Sequence, residues 1–335
     1  MATRRVDFSA TEILVGRAVA LAILIAAPLV NGQLYFIHVM ALAMIAAISA
    51  LGMQLLLGFS GQLSMGQAAF FGIGAYTSGI LTKNFGVPFL VAFVISGLAA
   101  AISSLTLAPI TRLRGVYLAI ATLGFTIIVS LVLRNEEWLT GGSFGLMAIP
   151  RPSVGSLVLS EKGIYFLCLL VLVFVYVAFN RLVDSRFGRA LQAIMLDEVA
   201  ARSSGINVTL YKSKCFVIAA LVTGFAGCLF AHHSRYLNPD DFSFWKSIAI
   251  LIMVAVGGIG SMAGAIIGAF VVVLLPEYLR AVEEWRLVIF GALLILFMGL
   301  GQSGIVGLIS LTLFRARAAL RKRAHGLPRS GSISL

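Results

Sequence analysis

The side chains that most often carry catalysis or bind metals are few in this chain, and their spacing predicts no catalytic site. Asp240–Asp241 and Glu283–Glu284 are adjacent acidic pairs in predicted loops, where solvated charge is the ordinary role. His232 and His233 end an apolar run. Adjacent residues of a helix point to different sides, and the sequence offers no evident third ligand. We therefore predict no catalytic residue and no metal site.

Nucleotide-binding and thiol motifs are equally weak. The stretch Gly258–Ala263 loosely matches a dinucleotide fingerprint, but it lacks the strand that should precede it. The phosphate-binding pattern G-x-x-x-x-G-K-S/T does not occur. The three cysteines lie within or beside apolar runs, with neither disulfide nor metal spacing: Cys168, Cys215 and Cys228. The chain is predicted to be no enzyme by itself and to bind no cofactor.

A different chemistry is indicated by uncharged polar side chains in the segment Gly58–Gly79, GFSGQLSMGQAAFFGIGAYTSG. Gln62, Ser64 and Gln67 can form hydrogen bonds but would be costly against lipid, so they should face protein or a watery cavity. Polar, glycine-rich interruptions of this kind are typical of a transporter's central pathway. Close helix packing alone is the alternative interpretation.

A second glycine-rich stretch spans Val256–Phe270. Gly260, Gly264 and Gly268 recur at every fourth position there, which predicts a glycine groove along one helix face. Such a groove would let another helix approach closely. It could also serve packing alone.

The elements that must position these groups are membrane helices. Of the 335 residues, 60% are hydrophobic and only 11% are charged, against about 25% in soluble domains. The sequence predicts an all-α, polytopic membrane bundle of about ten transmembrane helices, some of them short or broken by glycine. The candidate spans are Ile13–Val30, Leu34–Leu57, Leu63–Thr82, Pro88–Ile110, Val116–Leu133, Gly163–Phe179, Cys215–His233, Ser247–Gly257, Met262–Leu279 and Leu287–Ile309.

Charge predicts the orientation of this bundle. With ten spans both termini lie on one side, and that side receives 17 of the 25 Lys and Arg residues but only five of the 13 acids. The whole excess of +12 therefore lies on one face, as the positive-inside rule requires of the cytoplasm. This predicts a cytoplasmic segment 1–12, a transmembrane region 13–314, a basic cytoplasmic tail 315–335 and an external loop 134–162. That loop is either an ordered cap or a docking site for a soluble protein.

The longest polar interruption, 181–214, lies on the cytoplasmic side in this arrangement. One apolar stripe is predicted for a helix over Ser185–Ser204, through Phe187, Leu191, Met195 and Val199. Alternatively, Asp197 caps a second short helix. In either case Glu198 and Arg202 can pair at i, i+4, and Gly205 supplies a stop.

The energy source is constrained by what the spans contain. A proton- or sodium-driven carrier usually needs ionisable groups within the membrane, and away from their ends the predicted spans have almost none. Energy should therefore enter from a partner through the cytoplasmic insert.

Five motifs together resemble the second (M-type) permease subunit of bacterial ABC importers for branched-chain amino acids, over about Leu34–Ile309. They are GFSGQLSMGQAAFFGIGAYTSG, RLRGVYLAIATLGF, LTGGSFGL, DSRFGRALQAIMLDEVAARSSGINVTLYKSKCFVIAA and GGIGSMAGAIIGA. The resemblance implies the ABC importer permease fold, a homologous second permease subunit, two cytoplasmic ATPases that bind the ATP, and a periplasmic binding protein. It implies a multi-pass protein of the inner membrane.

The resemblance also implies roles for particular residues. The ATPase-coupling loop would comprise Asp197, Glu198, Ala200, Ala201, Arg202 and Gly205. Val199 stands where many ABC importers have Glu, and Glu198 lies one place earlier. Independently of the resemblance, the polar and glycine-rich residues lead us to expect the translocation path at Gly61, Gln62, Ser64, Gly66, Gln67 and Thr122. Alternatives are a stand-alone channel or secondary carrier, a related ABC permease for urea or amides, and a membrane scaffold.

Overall fold

The computed structural model describes residues 21–28, 32–113, 115–154 and 157–278, together with 291, 292, 304 and 307. The cytoplasmic segment 1–12, nearly all of the predicted span Leu287–Ile309 and the tail 315–335 lie outside the described residues. Of the predicted first span, residues 21–28 are described, and they are helical. We call this stretch α1.

Helices account for nearly all regular structure in the described residues, which confirms the all-helical fold class. The long and short helices are α2 Leu34–Gln54, α3 Gln67–Asn84, α4 Phe89–Leu105, α5 Val116–Asn135, α6 Glu137–Thr140, α7 Glu161–Asp184, α8 Arg186–Leu196, α9 Glu198–Ser203, α10 Val208–Ser234, α11 Phe244–Gly257 and α12 Met262–Tyr278. A hairpin pairs β1 Ser153–Val154 with β2 Leu157–Val158, antiparallel, with Ser153 opposite Val158. A π-helical turn, Leu55–Phe59, extends α2.

Four of these helices are long and apolar enough to cross a membrane: Leu34–Phe59, Val116–Asn135, Glu161–Asp184 and Val208–Ser234. Helices α4, α11 and α12 are apolar but shorter. The 14 residues of α11 span about 21 Å, less than the hydrocarbon core of about 30 Å. The chain is thus a multi-pass membrane protein. The count of about ten spans stays a prediction.

Two membrane helices are longer than hydropathy predicts. The span predicted as Gly163–Phe179 is the helix Glu161–Asp184, and the span predicted as Cys215–His233 begins earlier, at Val208. Side-chain caps define both starts: Ser160 Oγ accepts from Gly163 N, and Asn207 Oδ1 accepts from Leu210 N. A hydropathy boundary stops at the first charged turn, whereas the helix continues into water. Both ends of the 181–214 insert consequently belong to membrane helices.

Helix α10 lies at the centre of the described bundle and packs on α2, α3 and α4. Small residues permit the close approach. A Cβ at Gly224 would lie 2.6 Å from Ala100 Cβ of α4, and one at Gly52 of α2 would lie 2.8 Å from Thr223 Oγ1. A Cβ at Gly74 of α3 would overlap the Gly224 carbonyl group. The buried free cysteines belong to this core: Cys168, Cys215 and Cys228.

The predicted three-glycine groove needs correction. Helix α12 begins at Met262, so Gly260 is not on it; Gly260 lies in the turn after α11, with a φ of +89°. Gly264 and Gly268 do lie on α12, where they face α11, and a Cβ at Gly264 would be 2.6 Å from the Gly257 oxygen. The prediction failed because the glycines keep their four-residue spacing from Gly260 to Gly268, whereas α12 begins only at Met262.

The loop 134–162, predicted to be external, is ordered over its described residues and lies against the bundle. Leu146 and Leu237 exchange two backbone hydrogen bonds of 3.0 Å, which tie it to the α10–α11 loop. Arg134 forms an ion pair with Asp240 of that same loop. Leu146 and Ile149 are buried. These contacts order the loop, while Trp138 and Phe144 remain 81% and 79% exposed, so both interpretations of the loop stay predictions.

Candidate functional site

The polar motif after α2 forms a break in the helical bundle. Residues 61–66 are not helical, and α3 begins at Gln67, four residues after the predicted start of that span. The π-helical turn precedes the break, and Gly61 turns the chain with a φ of +67°, a region that favours glycine. We call residues 61–66 the polar break.

Hydroxyl groups from neighbouring helices hold the polar break in place. Met65 N donates to Thr122 Oγ1 of α5 at 2.9 Å. Met65 O accepts from Thr126 Oγ1 and from Ser247 Oγ of α11, each at 2.7 Å. Ser247 Oγ also accepts from Ala68 N at 3.0 Å, so it caps the start of α3. Two helices, α5 and α11, thereby satisfy backbone groups of an unwound segment inside an apolar bundle, as such a segment requires.

Two amide side chains at this break are buried with a polar atom unpaired. Gln62 Oε1 accepts from Ser60 Oγ at 2.9 Å, and Gln67 Oε1 accepts from Thr223 Oγ1 at 2.6 Å. Gln62 and Gln67 are 2% and 1% exposed, and neither Nε2 has a partner among the described residues. A buried, unsatisfied donor costs about 1–3 kcal/mol, so each amide is suited to donate to a polar solute.

The predicted path residues come together here. Gln62, Ser64, Gly66, Gln67 and Thr122 are buried at or beside the polar break, while Gly61 is exposed at its start. Their role in transport stays a prediction.

The sequence reasoning missed Thr126, Thr223 and Ser247. Thr122 and Thr126 lie four residues apart on an otherwise apolar helix, which indicates one polar face. Ser247 gives no such signal, because it was predicted to begin a span on the opposite side of the membrane.

Between α7 and α10, the insert 181–214 folds as two short helices, α8 and α9. Asp197 ends the first and caps the second, since its Oδ1 accepts from Val199 N at 2.8 Å and from Ala200 N at 3.1 Å. The single helix over Ser185–Ser204 is therefore wrong, and the alternative of two helices with an Asp197 cap is confirmed. Gly205 follows α9 with a φ of +80°.

The predicted apolar stripe stops halfway. Leu191 is buried, but Met195 and Val199 are 46% and 63% exposed. Because the chain bends at Asp197, the face that packs inward on α9 is occupied by Ala201 instead. The result is an exposed apolar surface, formed by Met195, Leu196 and Val199, which we call the apolar tip. Leu196 is 87% exposed.

An ion-pair network fixes α9 to α10. Glu198 pairs with Arg202 at 3.0 Å and with Lys212 at 3.0 Å. The Glu198 and Lys212 side chains are 12% and 9% exposed, so this pair is shielded from water, while Arg202 is exposed. Glu198, which stands one place before the family position, thus makes an internal contact and fixes the orientation of the apolar tip.

The insert and the polar break touch each other. A Cβ at Gly61 would lie 3.3 Å from Met195 Cγ and 3.8 Å from Met195 Cα. A cavity of about 190 Å³ lies beside this contact. It is lined by Ser60, Gly61, Gln62, Leu113, Gly115, Ile194, Met195, Glu198 and Lys212. A movement of α8 would therefore shift Met195 against Gly61, the first residue of the polar break.

Comparison with known proteins gives consistent matches. The family model described as the permease component of branched-chain amino acid transport systems matches residues 35–298. The chain is 35% identical to the high-affinity branched-chain amino acid transport system permease protein LivM of Escherichia coli, over 78% of this chain and 68% of that protein. It is 27% identical to the permease protein LivH of that transport system in Salmonella typhimurium, over 78% and 91% of the two chains. No solved structure matches the chain significantly.

Proposed function

Since this chain belongs to the family of permease components of branched-chain amino acid transport systems, we propose that it is a membrane-spanning subunit of an ABC importer that carries branched-chain amino acids by alternating access. The observation that carries this proposal is the contact between the polar break and the exposed insert. One region can bind a small polar solute, the other can bind a protein, and Met195 joins them at Gly61. A permease driven from outside the membrane needs all three features.

The chemistry of the polar break suits a zwitterionic, apolar amino acid. The free amide donors of Gln62 and Gln67 can bind a carboxylate, and neither carries a charge that would hold it too tightly. The surrounding walls are apolar; Phe70 and Phe125 pack beside the start of α3 with ring centroids 5.6 Å apart. A leucine, isoleucine or valine side chain fits such surroundings. The relatives' names support the same substrate class.

The apolar tip supports docking of an ATPase. Exposed Met195, Leu196 and Val199 on two capped short helices form a convex surface that an apolar groove can receive. Arg202 and Gly205 border it, and both are exposed. Ala201 is buried, so its part is to pack α9 on the bundle.

The proposed assembly pairs this chain with a homologous permease subunit, two cytoplasmic ATPases and a periplasmic binding protein. Similarity to both LivM and LivH supports the permease pair. Broad apolar surfaces on α4, α5 and α7 are available for lipid or for that second subunit. We place the assembly in the inner membrane with the termini and the 181–214 insert in the cytoplasm. ATP binds to the ATPases, and this chain contributes no catalytic residue.

A reconstitution experiment tests the proposal. The chain is tagged, co-expressed with a homologous second permease subunit and two ABC ATPases from the same genome, and purified in mild detergent. The complex is then placed in proteoliposomes with the binding protein. We expect the ATPases to co-purify and radiolabelled leucine to accumulate only with ATP on the ATPase side. Leucine uptake by this chain without any ATPase would overturn the proposal in favour of a stand-alone carrier. ATP-dependent uptake of urea without leucine would overturn the substrate.

A further inference from the structure

Three helix ends on one side of the bundle bring together groups that can ligate a metal. They are His38 in the second turn of α2, Glu161 at the start of α7 and His233 at the end of α10. One ligand atom from each residue lies within 4.8 Å of the other two. The two imidazole rings are stacked, with centroids 4.4 Å apart. No motif in the sequence joins these positions, which are more than 70 residues apart from one another.

His233 is the most informative of the three. It is only 5% exposed, and neither ring nitrogen has a hydrogen-bond partner among the described residues. A buried polar group without a partner costs about 1–3 kcal/mol and calls for an explanation. His232, one residue earlier, shows the ordinary case: its Nε2 meets Ser78 Oγ at 2.7 Å and its Nδ1 meets Pro150 O at 2.8 Å.

The carboxylate of the cluster is held in position. Arg151 Nη2 donates to Glu161 Oε1 at 2.7 Å, an ion pair that uses one of the two carboxylate oxygens. Metal-ligating carboxylates are commonly hydrogen-bonded in this way, because the second group sets their orientation. The Arg151 pair therefore positions Glu161 for a ligand.

We propose that His38, Glu161 and His233 form a binding site for a divalent transition metal of the Zn²⁺ type. Two imidazoles and a carboxylate are a ligand set that Zn²⁺ accepts, with a fourth position left for water. Mg²⁺ and Ca²⁺ prefer oxygen ligands alone. Zinc-bound nitrogens lie about 3.3 Å apart when each bond is about 2.0–2.1 Å. The ligand atoms now lie within 4.8 Å of one another, and the rings are stacked with an interplanar angle of 23°. Because the nitrogen lone pairs lie in the ring planes, metal binding requires the two rings to turn out of the stack.

Metal binding to the purified permease complex tests this site. The complex carries a streptavidin-binding tag, since a polyhistidine tag would bind the probe. We expect calorimetry to find one Zn²⁺ per copy of this chain. Co²⁺ should give the intense visible absorption of a four-coordinate nitrogen and oxygen site. His233→Ala and His38→Ala should each weaken binding at least tenfold, and Glu161→Gln should weaken it about tenfold.

The adjacent histidine supplies the matched control. His232→Gln removes an imidazole from the same helix end, and we expect it to leave the stoichiometry and the Co²⁺ spectrum unchanged. Gel filtration confirms that each variant remains assembled. If the His233→Ala complex does not assemble, Zn²⁺ affinity and the Co²⁺ spectrum of the Glu161→Gln complex decide whether these residues bind the metal. Absence of stoichiometric Zn²⁺ binding in the wild-type complex, or unchanged binding in an assembled His233→Ala or Glu161→Gln complex, would overturn the site. Leucine uptake does not enter this test, so the proposed transport function stands or fails separately.

Discussion

The polar break and the insert 181–214 interrupt the same apolar chain in opposite ways. The break uses uncharged groups, Gln62, Ser64 and Gln67, and buries them. The insert uses charged groups and leaves its apolar tip in water. Each region thus contains groups that are unfavourable where they lie. At the break these are buried amide donors without a partner among the described residues, and at the tip they are large apolar side chains exposed to solvent. The difference indicates two ligands, a small polar solute at the break and a protein groove at the tip.

The largest expected effect comes from charging the apolar tip. Leu196→Asp together with Val199→Asp places two carboxylates where an apolar groove would bury them, which costs several kcal/mol. We expect leucine uptake to fall more than a hundredfold and the ATPases to be lost on purification, with the chain still inserted in the membrane. The matched control is Leu210→Asp, which charges another exposed leucine off the tip. Retention of the ATPases by the tip variant would contradict a docking role.

The next effect concerns the pair that orients the tip. Glu198→Ala leaves the shielded Lys212 ammonium without its carboxylate, so it should destabilise the protein by about 3 kcal/mol. Lys212→Ala should cost less, because Glu198 keeps its pair with Arg202. Thermal unfolding in detergent measures this loss, and uptake should fall with it. The double variant Glu198→Gln, Lys212→Met should recover part of both. Arg202→Ala serves as the comparison, since that exposed pair contributes less than about 1 kcal/mol. Equal losses of stability in Arg202→Ala and Glu198→Ala would show that shielding from water does not determine the contribution of these ion pairs.

A smaller effect separates function from stability at the break. Gln67→Leu removes an unsatisfied buried amide, so the protein should keep or raise its Tm. If that amide donates to the solute, uptake should fall about tenfold or more, because one such hydrogen bond is worth roughly 1–3 kcal/mol. Ser49→Ala is the control, since among the described residues the Ser49 hydroxyl bonds within its own helix, to Ala46 O at 2.8 Å. A Gln67→Leu protein that unfolds more easily and transports normally would assign Gln67 a structural role.

The smallest effect tests the contact between the two regions. Met195→Ala removes the side chain that meets Gly61 but leaves Leu196 and Val199 of the tip in place. We expect the ATPases to co-purify as before, while uptake per ATP hydrolysed falls severalfold. Met195→Leu, which fills a similar volume, should restore most of the coupling. A Met195→Ala complex with the wild-type ratio of uptake to hydrolysis would mean that movement reaches the break by another route.

Much of the fold is readable from the sequence because lipid imposes strong rules. The start of α2 at Leu34, the start of α5 at Val116 and the end of α11 at Gly257 agree with the predicted spans. Hydropathy fails where a membrane helix continues into water, as at Val208. It also fails where a four-residue glycine spacing runs through a turn, as at Gly260.

Only some residues of the candidate site can be predicted from the sequence. Gln62, Ser64 and Gln67 stand out because polar groups are rare in apolar runs. Thr223 and Ser247 do not, since a single hydroxyl can also bond within its own helix. Their partners are 156 and 182 residues away along the chain, and no local pattern encodes such a distance.

The sequence alone determined that the chain is a multi-pass membrane protein of this permease family, where its polar interruptions lie, and that Asp197 was a candidate cap. Those properties follow from local chemistry: transfer of side chains to lipid, side-chain capping, and motif identity. Only the tertiary structure decided that Met195 meets Gly61, that Glu198 pairs inward with Lys212, and that His233 meets His38 and Glu161. Each of these depends on how helices distant in the chain are placed against each other, and packing in three dimensions decides that placement.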